Sequence, residues 1–417
     1  MTDANGHVTD STQPLVAHVV FRFGMGGLEN GIVNLVNHLP ARRWRHAVIA
    51  LTDVSWEFAA RIERPDVHYV ALGKKPGHLF GEYPRLTKLF RELKPAVVHT
   101  RNLAALEAVV PAWAAGVPVR VHGEHGWDIH DPAGRRRRYR LVRRAYRPFV
   151  SHYVALSRHL EDYLQHRIGV APAAISQIYN GVDTGTFFPP PRERMPIPGC
   201  PFNEPAQWLI GTVGRMEAVK DPLNLANAFV RALAVDPAAA RHLRLIVVGD
   251  GALRGEAETA LARAGAGHLA WFAGERADVA DILRGIDCFV LPSLAEGISN
   301  TILEAMATCL PIVATRVGGN SELIESGMTG TLVPAANSDA LARAILGYFG
   351  DRSTARRHAR AAQRVVEARF SLKKMVFEYA RMYERALTEA GVPVPSSDAV
   401  TPEGEAAGSA QTRAAAH

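Results

Sequence analysis

The chain has 417 residues, a formal net charge of +7 and a pI near 9.4. That length suits two to three domains of roughly 100–200 residues each, and 47% hydrophobic with 21% charged residues suits soluble globular cores. Cys200, Cys288 and Cys309 are too few and too scattered for a disulfide framework or a metal cluster, so a reducing cytoplasm is the expected compartment. The opening MTDANGHVTDSTQP lacks the basic and apolar regions of a signal peptide, and no apolar run approaches the roughly 20 residues of a membrane span. Any membrane role is therefore expected to be peripheral.

Residues 1–14 are expected to be disordered. From Leu15 the chain alternates short apolar runs with amphipathic stretches. LVAHVVF (15–21), HAVIAL (46–51), VHYVAL (67–72), AVVHT (96–100), VPVRVHG (117–123) and HYVALS (152–157) predict strands, most of them buried on both faces. The first strand runs into FGMGGLEN. Its Gly24, Gly26 and Gly27 are followed by Glu29 where a dinucleotide fingerprint has its third glycine, which weakens a nicotinamide-cofactor reading. What remains is a glycine turn that lets backbone approach a ligand at a helix start. RVHGEHGWD places His122, Glu124, His125 and Asp128 at a strand exit. This titratable cluster suits catalysis or substrate contact, whereas His-x-x-His alone is a poor zinc signal. GRRRRYRLVRRAYRPF (134–149) carries eight arginines. Arg135, Arg136, Arg137, Arg138, Arg140, Arg143 and Arg144, with apolar residues between them, suit an anionic lipid surface or a phosphorylated substrate. No nucleic-acid motif accompanies them.

The proline-rich 189–207 predicts a linker between a first domain at 15–188 and a second at 208–369. Alternation then restarts with WLIGTVG (208–214), LRLIVVGDG (243–251), LAWFAG (269–274), DCFVLPS (287–293), PIVAT (311–315) and GTLVP (330–334). The expected fold is α/β, with two Rossmann-like doubly wound domains facing a cleft and ligands at the strands' carboxyl ends. Gly214, Arg215 and Lys220 suit a diphosphate, through a planar fork and a point charge. Gly249, Asp250 and Gly251 sit at another strand exit. In LAEGISNTILEAMA, Ser299 is the expected N-cap, Glu296 lies on the loop before the helix and Glu304 one turn inside it. Two carboxylates could serve glycoside hydrolysis, but a basic, glycine-rich cleft with a helix N-terminus favours phosphate. FSLKKMVFEYARMYERAL predicts a closing helix over 370–390 that packs back on the first domain, followed by a disordered tail at 391–417.

Taken in order, Gly26-Gly27-x-Glu29, Asn180-Gly181-Val182-Asp183, Gly214-Arg215 with Lys220, Gly249-Asp250-Gly251, Glu296-x7-Glu304 and TRVGGNSELI (315–324) resemble the retaining glycosyltransferases of family 4, with the GT-B fold. The resemblance implies transfer of a sugar from a nucleotide-diphosphate sugar, UDP-linked before GDP-linked, to a saccharide or lipid-linked acceptor in exopolysaccharide or cell-surface glycan synthesis. It implies no metal and no cofactor. Arg215 and Lys220 would neutralise the diphosphate, with amides around Gly297, Ser299, Asn300 and Thr301. Glu304 would hold the ribose, Glu296 the donor sugar, and His125 would stand near the reaction centre. Gly26 and Gly27 would line the phosphate side, and Glu29, His99, Arg101 and Asn102 fall on the acceptor side. Asp221 replaces the family's usual glycine after the lysine, and His99-Thr100-Arg101-Asn102 departs from the usual two-histidine stretch. A nucleotide-sugar 2-epimerase of the same architecture and a non-catalytic scaffold are the rival readings.

Overall fold

The structure, a computed structural model, describes residues 13–126, 131, 134–191 and 194–394. Asp128 and most of the two expected tails lie outside the described residues.

Among the described residues the strands form two parallel sheets. The first has the order β3-β2-β1-β4-β5-β6-β7, built from Leu15–Val20 (β1), Arg45–Ala50 (β2), His68–Ala71 (β3), Val97–Arg101 (β4), Val119–Glu124 (β5), His152–Ala155 (β6) and Ile175–Gln177 (β7). The second has the order β10-β9-β8-β11-β12-β13, from Trp208–Val213 (β8), Leu243–Val248 (β9), Ala270–Gly274 (β10), Cys288–Leu291 (β11), Ile312–Thr315 (β12) and Thr331–Val333 (β13). Both are Rossmann-like. The apolar runs become strands because helices cover both sheet faces, so β1, β4, β6, β11 and β12 are buried along their whole length. VHYVAL departs from that pattern: β3 is an edge strand with His68 and Ala71 exposed, since it has a neighbour on one side only. The sequence reading missed β7, whose three residues Ile-Ser-Gln carry no apolar run.

In each sheet the strand order reverses once, between β1 and β4 and between β8 and β11. Loops leaving the strands on either side of such a reversal diverge and open a crevice at the carboxyl edge. The loops so placed are those after β1 and β4 in the first half, and after β8 and β11 in the second.

Three features join the halves. The segment 194–207 is a pinned strap: Ile197, Cys200 and Phe202 are buried in an apolar cluster with Ile282, Leu283 and Ile286 of the second half, and Met195 N donates to Arg284 O at 3.1 Å. The same cluster continues into the first half through Leu160, Leu164 and Ile175. Last, helix Leu372–Glu389, capped by Ser371, buries Met375, Tyr379, Met382, Tyr383 and Leu387 against Val16, Leu35, Trp44 and Val97 of the first half. Its start is tied to the Asn180–Asp183 stretch, where Val182 N donates to Phe370 O and Leu372 N to Val182 O, each at 2.9 Å.

Candidate functional site

On the second half, the loop after β8 carries Gly214, Arg215 and Lys220. Gly214, Arg215, Lys220, Leu225, Phe272 and Leu291 line one recess at this edge. Arg215 is exposed and makes no ion pair among the described residues. Lys220 is already engaged: its Nζ lies 2.6 Å from Glu296 Oε1, which also accepts from Ser293 Oγ at 2.6 Å. Asp221 follows in the left-handed conformation at φ 47°, which explains why a glycine is at home there. Its carboxylate accepts from Asn224 N at 3.3 Å, so Asp221 caps helix Pro222–Val235. Asp221 thus supplies a side-chain helix cap that a glycine could not.

Gly249 and Gly251 hold this loop in place. Gly249 has φ 119°, and a Cβ there would collide with Gly214 O; one on Gly251 would sit 2.7 Å from the Met216 backbone. Asp250 is exposed and spends its carboxylate on Gly251 N and Arg254. The Gly-Asp-Gly stretch therefore shapes the Gly214–Met216 loop by close backbone crossing. Ser299 caps helix Asn300–Ala307, accepting from Ile302 N at 3.3 Å. Gly319 N donates to Gly297 O at 2.9 Å, so the Val-Gly-Gly of TRVGGNSELI clamps the loop that carries Glu296.

On the first half, the carboxyl edge is lined by buried histidines. Asn102, left-handed at φ 57°, accepts from His125 N at 2.8 Å through Oδ1 and so fixes the start of the His125 loop. His125 is partly exposed, but its Nε2 is buried and has no hydrogen-bond partner among the described residues. Burial, and then the Arg101 charge, hold its pKa well below the usual histidine range. His99 and Arg101 are sealed beneath this surface. His99 Nδ1 meets Tyr383 Oη at 2.7 Å, and Arg101 Nη1 donates to His18 Nδ1 at 2.9 Å. These two residues, expected on the acceptor side, lie buried under the site, because the closing helix covers that face of the sheet. Glu29 folds over Gly26, with its pKa raised by burial against the fields of Arg101 and Arg215.

The arginine run also needs one correction. Arg143 points inward and forms a bidentate pair with Glu124, at 2.5 and 3.0 Å, with both side chains buried. Burial alone would raise the Glu124 pKa; Arg143 and the His122 hydrogen bond overcome it and hold the carboxyl low. Arg135, Arg136, Arg137, Arg138 and Arg144 are exposed beside Leu141, and Arg140 is half-exposed. Arg143 is thus an anchor that ties helix Arg137–Tyr146 to the end of β5, one residue before His125.

The two edges meet. A Cβ on Gly297 would lie 2.8 Å from His125 O, so the His125 and Glu296 loops touch across the cleft. Asn300 Nδ2 donates to Gly27 O at 3.4 Å and Asn180 Nδ2 to Asn300 Oδ1 at 2.6 Å. Thr301 follows in the same helix turn, its hydroxyl 3.1 Å from Ser299 Oγ. The structure does not bring Glu304 into the recess of Arg215 and Lys220. Glu304 opens on a second recess of about 130 Å³ with Asn30, Asn34, Arg61, Asn180 and Asn300. Burial raises its pKa to about 7, with Arg61 opposing. Glu322 was missed as a linking residue: it accepts from Arg158 N, His159 N and the Tyr179 hydroxyl of the first half. Its place in the Gly-Gly-Asn-Ser-Glu run was the available signal.

Comparison with known proteins bears on the whole of this arrangement. Residues 25–186 match the model described as Glycosyltransferase Family 4, and residues 207–351 match Glycosyl transferases group 1. The chain is 31% identical over 217 residues to the lipopolysaccharide core biosynthesis mannosyltransferase LpcC of Rhizobium leguminosarum bv. viciae, covering 50% of this chain and 59% of that one. It is 28% identical over 276 residues to the UDP-Gal:alpha-D-GlcNAc-diphosphoundecaprenol alpha-1,3-galactosyltransferase of Escherichia coli, covering 64% and 70%. The matched stretches thus span about three-fifths to seven-tenths of these two relatives. A glycosyltransferase structure from Rickettsia africae ESF-5 shares the fold with a TM-score of 0.75 at 19% identity, over 90% of this chain and 99% of that one. With a family 4 domain in its first half and a group 1 domain in its second, the chain belongs to the glycosyltransferases.

Proposed function

We propose that the protein moves a sugar from a nucleotide-diphosphate sugar to a saccharide or lipid-linked acceptor of a surface polysaccharide, with retention and without a metal. The observation that carries this is the meeting of two unlike edges. Arg215 and Lys220 line one recess, Lys220 is tied to Glu296 on the loop that leads into helix Asn300–Ala307, and His125 touches Gly297 of that loop from the other side. As the bond to the anomeric carbon breaks, negative charge builds on the diphosphate, and fixed cations and helix amides stabilise it where it develops. Lys220 is held by Glu296, so a bound diphosphate shares that ammonium and frees the Glu296 carboxylate for sugar hydroxyls. Glu304 stands four residues inside the helix, about 6 Å along its axis from Asn300. A nucleotide lying across that helix start reaches Glu304 with its ribose. The similarity to an enzyme named for UDP-galactose and a diphosphoundecaprenol acceptor favours a UDP-sugar and a lipid-linked acceptor, with GDP-sugars second.

The exposed arginines of 135–144, Arg143 excepted, supply a peripheral contact with anionic lipid at the inner face of the membrane. Among the described residues no helix is long and apolar enough to cross one. The test is product analysis. Purified protein is incubated with UDP- and GDP-sugars, with and without a lipid-diphosphate saccharide, and the products are read by NMR. An acceptor-dependent α-glycoside from an α-linked donor supports the reading. A new sugar epimer in the absence of acceptor would replace it with the epimerase.

A further inference from the structure

Two buried ring nitrogens converge over Gly123, the penultimate residue of β5. A Cβ at that position would collide with His125 Nε2 and would sit 3.0 Å from His99 Nε2. Both nitrogens are buried and lack a hydrogen-bond partner among the described residues. Two such groups cost free energy unless something between them serves both. The spot is polar, and both rings come this close to it because residue 123 carries no side chain.

The other end of this chain has a fixed direction. Arg101 is an obligate donor, since a guanidinium has no acceptor to offer. It donates to His18 Nδ1 at 2.9 Å, and its charge lies against the Tyr383 phenol. Lone pairs of the phenol oxygen turn toward that cation, which leaves the O–H to point at His99 Nδ1, 2.7 Å away. His99 Nδ1 is then the acceptor, and its Nε2 carries the proton. A water over Gly123 accepts from His99 Nε2 and donates to His125 Nε2. His125 is left with its proton on Nδ1, the other nitrogen of a partly exposed side chain. The same logic fixes a side branch: His18 Nε2 donates to His46 Nδ1 at 3.1 Å.

We propose that Arg101 and Tyr383 set the tautomer of His125 through His99 and one water held over Gly123, so that His125 presents an N–H to the cleft. Tyr383 and His99 are positioning residues, and the closing helix, remote in sequence, thereby contributes to the reaction centre. What His125 offers the donor sugar is a hydrogen bond to a hydroxyl oxygen, not a base. This use of the N–H rests on the transferase reading above; the tautomer itself does not.

The test uses full-length protein labelled with ring-15N histidine, with His125 identified by loss of its signals in His125→Gln. Long-range 15N–1H spectra are expected to show Nδ1 of His125 protonated in the wild type. Tyr383→Phe removes the directing O–H, and Gly123→Ala fills the bridge from the other end. Each is expected to shift the ring toward the Nε2–H form that free imidazole side chains favour, and to lower kcat about tenfold with KM for the nucleotide sugar within about twofold. A wild-type ring already protonated at Nε2 would overturn the proposal, as would unchanged His125 shifts in folded Tyr383→Phe. If the wild type turns over no nucleotide sugar while the ring shifts respond as stated, the transferase reading fails and the relay stands.

Discussion

The two carboxyl edges that face each other are built from opposite materials. The first half offers buried groups beneath its edge: His18 and His99 are held uncharged by burial and by the Arg101 guanidinium. The second half offers charge at a solvent-reached rim, in Arg215, Lys220 and Glu296. Desolvating a charge is expensive, so the edge that receives an anion keeps its cations near water. The edge that must orient a neutral sugar uses hydrogen bonds fixed in advance by packing. The same fold, used twice, thus divides labour between holding charge and holding direction.

The largest expected effect tests whether the first edge depends on its buried anchor. Arg143→Met strands the Glu124 carboxylate in the interior, which costs about 3–5 kcal/mol of unfolding free energy in a urea titration. The double variant Glu124→Met/Arg143→Met should recover most of that loss. If the single variant unfolds like wild type, the anchor is not holding the His125 strand.

A smaller effect sharpens the contrast at Glu304, which is half-buried though it belongs to the charged half. Its folded pKa of about 7 lies above the ordinary carboxyl value, so the folded state binds the extra proton. Its contribution to stability is full below about pH 4.5 and is lost as pH rises toward 7, on the order of 1–3 kcal/mol. Comparing unfolding free energies at pH 5 and 7.5, Glu304→Gln should reduce the fall by that amount. An identical pH slope in both proteins contradicts the placement of Glu304 in its recess.

The smallest effect concerns Asp221. Asp221→Gly loses the cap but relaxes the left-handed backbone, for a net change of a few tenths of a kcal/mol; Asp221→Ala keeps the strain and loses the cap, costing about 1–2 kcal/mol. Equal costs for the two variants would mean that backbone conformation does not govern this position.

Most of the second half was legible in the sequence because its site is local. Gly214, Arg215 and Lys220 follow one strand within seven residues, and Glu296 lies on the loop that follows another. The first half was legible in its strands but not in its site. His99 and Arg101 read as acceptor-side residues by resemblance, and nothing near them in sequence announces that Tyr379 and Tyr383, almost 300 positions later, cover that face. Arg143 was misplaced for a related reason. Within a run of cations only helical phase distinguishes it, and its partner Glu124 lies on another element. The pinned strap shows the same limit, since proline content marks a break in regular structure but does not say whether the segment packs.

The central claim is that the charged edge holds the nucleotide diphosphate and the neutral edge does not. Calorimetric titration of UDP and GDP against wild type, Arg215→Ala and His125→Ala tests it directly. Losing a charge-assisted contact of about 1.5–3 kcal/mol should weaken the preferred nucleotide about 10–100-fold in Arg215→Ala, while His125→Ala stays within about twofold of wild type. Affinity unchanged in Arg215→Ala, or lost in His125→Ala alone, would contradict the account.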